Sequence, residues 1–380
     1  MALFGETTLG ESAEQARKIR YAVVGLGWIA QEVVLPAFPD AKYSVLTALV
    51  TDDPKKAKKL GKKYGISQTV NYEQYNDLLR SGTIDAVYIA LPNSMHRDFT
   101  LRAARAGIHV LCEKPMADTV AECEEMIRAA EENNVKLMIA YRLHFEPANL
   151  RAIEIIQSGQ IGEPRIFSSV FSQQIKDGNV RLKRDLGGGP LMDMGVYPIN
   201  ACRYLFQDEP TEVVGVGANS GDARFSEVHE MVTGVLRFPG DRIAVFTCSF
   251  GAASSDAYQV VGTKGELWLQ PAFDYHPRYT MRLNVDGKEK KTTFDKVDQF
   301  GGEIDYFSQC ILNNVEPEPN GQEGLADVRI VEALLQSMRS NQPVQLAPFE
   351  KRERPGQHQK FEKPPVKPQK LIGAEAAAGS

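Results

Sequence analysis

Tyr21-Ala22-Val23-Val24-Gly25-Leu26-Gly27-Trp28-Ile29-Ala30 decides the fold. A short apolar run enters two glycines one residue apart, and a small residue follows. The run predicts a buried strand and the residues after it a helix. The first glycine permits a tight turn, and the second lets a pyrophosphate approach the backbone. Ala30 lets helix and strand pack closely. A helix N-terminus at that point favours an anion. Strand, glycine turn and helix in this order point to a dinucleotide, with Gly25, Leu26, Gly27, Trp28 and Ile29 as its contacts.

Outward from that turn, strand and helix signals alternate. The helix from Trp28 is expected to stop near Pro36. A strand at 43–50 precedes a lysine-rich helix from Pro54, and Asn71 reads as the cap of a helix to Arg80. Strands follow at 84–91, 109–112 and 135–141, with helices at 94–106 and 119–133. This spacing predicts a doubly wound parallel sheet. After Tyr141 the character changes. A helix at 147–158 is followed by strands at 165–173, 213–218, 229–238, 242–250, 258–262 and 266–269. Asp286-Gly287 marks a hairpin between 279–285 and 288–294. Helices are expected at 189–205, 303–313 and 325–340. Alternation in the strands predicts a large open, mostly antiparallel sheet with one covered face. The division expected is an N-terminal arm at 1–18, a Rossmann domain at 19–142, an α+β domain at 143–345 and a Pro/Lys-rich tail at 346–380. The tail is too polar to pack alone and reads as an arm or as disordered.

At 380 residues with 43% apolar composition, the chain can build two cores without staples. A net charge of −5 argues against general nucleic-acid binding, and the lysines at 55–63 read as a solvated helix face. The five cysteines lack C-x-x-C spacing and six histidines are scattered, so buried free thiols and no metal are expected. No signal-peptide core or membrane-length apolar run is visible, which reads as cytoplasmic with no membrane partner.

Three further stretches carry chemistry. At Val50-Thr51-Asp52-Asp53-Pro54-Lys55-Lys56, Thr51 stands where an NAD enzyme prefers an acid. A hydroxyl backed by Lys56 suits a 2′-phosphate, so NADP is preferred to NAD. Asp52 could still reach a ribose, and an Asp cap on the next helix explains either acid equally well. Leu91, Pro92, Asn93 and His96 follow the third strand, where a cofactor ribose would be contacted; capping by Asn93 or Ser94 explains the turn as well. Glu113-Lys114-Pro115 leaves a buried strand at the sheet's ligand edge. In Gly187-Gly188-Gly189-Pro190-Leu191-Met192-Asp193-Met194-Gly195-Val196-Tyr197, an acid and a phenol stand four apart on an apolar helix. One reading is a buried phenol satisfied by the acid. The other makes Tyr197 a proton donor or acceptor.

Together with Ala140-Tyr141-Arg142-Leu143-His144-Phe145-Glu146-Pro147, these segments resemble the glucose–fructose oxidoreductase / inositol dehydrogenase / rhizopine-catabolism superfamily. The likeness runs over 18–345 and is nearest to the glucose–fructose and aldose–aldose oxidoreductase branch. It implies a catalytic set of Lys114, Asp193 and Tyr197, and NADP contacts at Thr51 and Lys56. Glu113, Lys114 and Arg142 join the cofactor side. Lys114, Asp193 and Tyr197 face the sugar, with Arg142 and His144 as pocket candidates. Lys183 and Arg184, with Arg181, stand just before the glycines and line the pocket on one reading, while as loop charges they face solvent on the other. Tyr275 and His276 are weaker candidates. The implied reaction passes hydride from C1 of a pyranose aldose to NADP, giving a lactone, with a tightly bound cofactor recycled by a second sugar. The resemblance leaves open a dehydrogenase or ketosugar reductase that releases its cofactor, acting on another sugar, a polyol or a dihydrodiol, and a non-catalytic dinucleotide-binding regulator. An apolar outer sheet face would be covered by a second copy, giving a homodimer or homotetramer.

Overall fold

The computed structural model describes residues 17–275, 277–351, 353–374 and 376. Most of the expected N-terminal arm and His276 lie outside them. The first sheet has six strands: β1 (Ile19–Val24), β2 (Ser44–Val50), β3 (Gln68–Val70), β4 (Ala86–Ile89), β5 (His109–Cys112) and β6 (Leu137–Ile139). Their order is β3-β2-β1-β4-β5-β6, and every pairing is parallel. The strands are short and apolar because both faces are covered. The order reverses between β1 and β4, so a crevice opens at their carboxyl ends.

Four helix boundaries differ from expectation, the last helix beginning at Gly321 and not at 325. Helix α1 passes through Pro36: a wide turn over Ala30–Val34 runs into Leu35–Ala37. The Leu35 N–H reaches back to the Ala30 carbonyl, so the ladder is already loosened before the proline, which has no N–H to give. Asn71 does accept the Gln74 N–H, at 2.9 Å, but it closes a turn, and α3 begins only at Tyr75 (Tyr75–Arg80). Helix α8 (Gln299–Asn313) starts four residues early, capped by Asp298, because Gly301-Gly302 hides its first turn from propensity. The helices between follow expectation: α2 (Pro54–Tyr64), α4 (His96–Arg105), α5 (Val120–Glu132), α6 (Pro147–Gln157) and α7 (Val196–Phe206).

The second sheet has nine strands: β7 (Pro164–Ser172), β8 (Glu212–Ala218), β9 (Met231–Phe238), β10 (Arg242–Ser249), β11 (Ser255–Gly262), β12 (Gly265–Gln270), β13 (Tyr279–Val285), β14 (Lys288–Phe294) and β15 (Val344–Gln345). Their order is β14-β13-β12-β11-β7-β10-β9-β8-β15. All pairings are antiparallel except β7 with β10. One face buries Phe167, Phe246, Val260 and Leu267 against α6 and α7, while Ile166, Val170 and Val216 stand exposed on the other.

Late segments finish the first sheet. Asp305 on α8 accepts the Lys42 and Tyr43 N–H groups at 2.8 and 3.0 Å, and Ser308 lies 2.9 Å from the Tyr21 hydroxyl. Outside β6, the Ile139 N–H donates to Pro319 at 2.7 Å. Helix α9 (Gly321–Ser340) packs on β8 and on α5, and so touches both layers. The described part of the polar tail packs too. It does so by pairing its polar groups: Gln359 is buried on Glu318, and Lys363 is paired with Asp305. All five cysteines are buried free thiols. Among the described residues there is no metal-ligating cluster, and no helix is long and apolar enough to cross a membrane.

Candidate active site

The glycine turn sits at the crevice. Gly25 has φ +88°, and a Cβ there would lie 2.5 Å from the Ala90 carbonyl oxygen, so only glycine fits. A Cβ on Gly27 would meet nothing within 4 Å. The backbone of Gly27 therefore borders open space at a helix N-terminus, which is what a pyrophosphate needs. At the tip of β2, Thr51 is buried and its hydroxyl oxygen accepts the Asp53 N–H at 3.3 Å. Asp53 caps α2 by accepting the Lys55 and Lys56 N–H groups, and Asp52 accepts the Tyr72 N–H at 2.8 Å. Both acids are thus engaged by backbone, Asp53 as the cap the alternative reading described and Asp52 elsewhere, and half-buried Lys56 stands beside them. The residues present fit an adenosine 2′-phosphate better than a bare ribose.

Lys114, Asp193 and Tyr197 come together from opposite sheets. The strand β5 delivers Lys114 to the crevice through a cis Lys114–Pro115 bond. Asp193 lies in a wide turn, Leu191–Gly195, that leads into α7, and Tyr197 is on the first turn of α7. The Lys114 ammonium donates to the Asp193 carbonyl at 2.9 Å and sits 3.6 Å from its carboxylate. It also lies 4.5 Å above the centre of the Tyr197 ring. Arg181 donates to the Asp193 carboxylate at 2.8 Å. Burial would raise the Asp193 carboxyl, but the Arg181 and Lys114 charges outweigh it and hold it below the usual carboxylate range. The acid is ionised and fixes the lysine.

Arg142 fixes the phenol. Its guanidinium donates to the Tyr197 oxygen at 3.2 Å, and to Gln299 and the Phe273 carbonyl. It also stacks over the rings of Tyr197 and Tyr275, at 5.2 Å from each. The Tyr197 ring lies between Phe171 and Phe273. Its oxygen accepts from Arg142 at the cleft that Lys114 also lines. A cation and a fixed phenol on one cleft can move a hydroxyl proton and steady the charge that remains.

Other residues sit elsewhere than expected. Lys183 and Arg184 are exposed and both bind Glu227: the Lys183 ammonium at 2.6 Å, and Arg184 through its backbone and side chain. Arg181 is the member of that basic trio that reaches the site. His96 is wholly buried, with ring nitrogens 2.9 Å from the Pro115 and Leu91 carbonyls. It holds the two edge loops together and presents nothing to a ligand. Leu91 is buried, Pro92 half-buried, and Asn93 donates to the Gly187 carbonyl at 2.8 Å, tying the first sheet's edge to the glycine run. His144 is buried between Glu318 and Asn200, not in the cleft.

Two residues were missed. The Tyr88 hydroxyl bridges Glu113 and Glu303, at 2.8 and 2.9 Å. A phenol has one hydrogen, so one acid must hold a proton. Burial raises both carboxyls. Lys114 pulls Glu113 back, while the Glu113 charge pushes Glu303 further up, so Glu303 holds the proton. A tyrosine in an otherwise aliphatic strand was the available signal for Tyr88. Glu303, almost two hundred residues from Glu113, offered none.

Residues 19–141 match the family model for the oxidoreductase family with an NAD-binding Rossmann fold, and residues 149–268 match the GFO/IDH/MocA C-terminal domain. The chain is similar to an NADP(+)-dependent D-xylose 1-dehydrogenase of Haloarcula marismortui, at 33% identity over 86% of this chain and 93% of that protein. It is similar to the crystal structure of an aldose–aldose oxidoreductase from Caulobacter crescentus, complexed with glycerol. That match has a TM-score of 0.83 and 39% identity, over 87% of this chain and all of that one. A 3-ketoreductase from Actinomadura kijaniata, solved with NADP and TDP-benzene, gives a TM-score of 0.78 at 28% identity, over 84% of this chain and 98% of that one.

Proposed function

Because this chain belongs to the GFO/IDH/MocA oxidoreductase family, we propose that it is an NADP-dependent sugar oxidoreductase acting at C1 of a pyranose aldose and retaining its cofactor between turnovers. The observation that carries this reading is the pairing of Lys114 with Tyr197, the phenol oxygen fixed by Arg142. The dinucleotide supplies the hydride acceptor. Tyr197 takes the C1 hydroxyl proton as the aldose becomes a lactone, and Lys114 steadies the oxygen as its charge develops. Asp193 holds Lys114 in place. Thr51 and Lys56 favour NADP over NAD, and the NADP-dependent xylose dehydrogenase supports that preference. Reduction of a ketosugar by the reverse proton path is the second reading, supported by the likeness to the 3-ketoreductase.

The test is nicotinamide reduction by purified protein across an aldose panel, with NADP+ and NAD+ offered separately. Reduction with glucose- or xylose-like pyranoses and NADP+ is expected. Oxidation of NADPH by ketosugars alone, with no aldose oxidised, would move the assignment to the second reading.

A further inference from the structure

The crevice has a wall that belongs to neither sheet. The Ile372 N–H donates to the Gln31 side-chain oxygen at 2.8 Å, and the Gln31 amide donates back to the Ile372 carbonyl at 3.0 Å. The same amide donates to the Leu26 carbonyl, inside the glycine turn, at 2.9 Å. Gln31 is almost fully buried, so these bonds are made away from water. One residue on, a Cβ built at Gly373 would lie 3.2 Å from Lys56 Cε and 3.7 Å from the Asp53 carboxylate. Four residues earlier, Gln369 accepts from Lys63 at 2.8 Å. Residues 369–373 therefore pass from the last turn of α2 back along it, and Ile372 and Gly373 bridge the start of α1 and the start of α2. In a doubly wound sheet those two helix starts flank the pyrophosphate and the adenosine ribose.

The segment is held by packing as well as by polar bonds. Val366 and Ile372 pack on the apolar cluster that includes Leu26, Ala30 and Val33. Upstream, the Lys363–Asp305 pair and the buried Gln359 fix the direction from which the strand of tail arrives. Ordering such a polar stretch costs conformational entropy. The burial of Ile372 and the two-way clamp on Gln31 offset that cost at one point, beside the glycine turn.

We infer that residues 369–373 form part of the dinucleotide site, lying across its adenosine end so that the bound cofactor leaves only when this strap opens. The inference rests on the dinucleotide reading proposed above. Gln31 acts as a positioning residue, joining the strap to the Leu26 carbonyl. Retention of NADP between turnovers is then a property of the tail and not of the proton-transfer residues.

The experiment compares the full chain, a chain ending at Pro365, and full-length Ile372→Asp. Release of prebound NADPH is followed by fluorescence after adding excess NADP+, with NADH in parallel. Release roughly tenfold faster or more is expected in both variants, since lost burial and a broken clamp exceed one decade of equilibrium constant. Thermal unfolding of the cofactor-free full chain and Ile372→Asp should nearly coincide. If the shortened chain does not fold, the Ile372→Asp comparison decides alone. Unchanged release overturns the inference, and so does slower release without the tail, which would make the tail an occupant of the pocket. If the full chain binds NADH and not NADPH, the NADP reading fails while the NADH release rates still decide the strap. If it binds neither, both fail.

Discussion

Replacing Tyr197 by Phe removes one oxygen and leaves the ring between Phe171 and Phe273. Turnover should fall by on the order of 100-fold, the usual contribution of a positioned acid or base, with dinucleotide affinity unchanged. Lys114→Ala should cost at least as much, because it also strips a cation from the Asp193 carboxylate. Single-turnover rates beside binding isotherms check both, and near-wild-type turnover in Tyr197→Phe would remove its assigned role. Lys114, Asp193 and Tyr197 were legible in the sequence because each stands inside a short motif of fixed spacing. Glu303 and its link to Tyr88 were not. That link comes from side chains that meet only after folding, and a glutamate in a helix looks the same whether solvated or buried against Tyr88.

The segment between β7 and α7 shows why spacing alone misassigned charges. Its short turns at Val180–Leu182 and Arg184–Leu186 send alternate basic residues to opposite sides. Arg181 goes inward to Asp193, and Lys183 goes outward to Glu227. Arg181→Ala should lower turnover at least severalfold, because the partly buried Asp193 then has Lys114 as its remaining partner. Lys183→Ala should stay within about twofold of wild type, as an exposed ion pair is worth under about 1 kcal/mol. Steady-state rates on the same aldose separate the two. Elements with strong apolar alternation were legible almost to the residue. The boundaries that failed have local causes: a wide turn that absorbs Pro36, and two glycines inside α8.

Across the whole molecule, a buried charge cluster joins α7, α9 and the tail. Arg203 binds Glu209, Glu323 and Asp327; Lys351 lies near Glu318 and Glu323; Arg354 binds Glu209. Among the described residues these three cations face four carboxylates. One further proton, on His144 or on Asp327, balances them. Burial opposes charge on His144, but Glu318 overrides it and raises the imidazole above its usual value; burial raises the Asp327 carboxyl. A raised folded-state value has one sign for both groups. The stability contributed by His144 is complete below its unfolded value, near 6.5, and is lost as pH rises through the folded one. The urea midpoint should therefore fall as pH rises above about 6.5, and His144→Gln should flatten that fall. Arg203→Ala should cost about 3–5 kcal/mol, because it strands the buried Asp327 and takes one of two cations from Glu209 and from Glu323; urea unfolding at constant pH measures it.

The pairing of Asp305 with the Lys42 and Tyr43 amides has a consequence for how the chain is made. Strands β1 to β6 and the helices between them leave the ribosome before α8 and Pro319 do. Their face waits for α8, and their outer edge for Pro319. Order of synthesis and order of completion therefore run against each other. The nascent first half must be held, by its own partial collapse or by a chaperone, for more than 150 further residues. A stalled chain released after β6 would carry bare apolar surface where α8 belongs, and it would meet other such chains before it met its own missing helix.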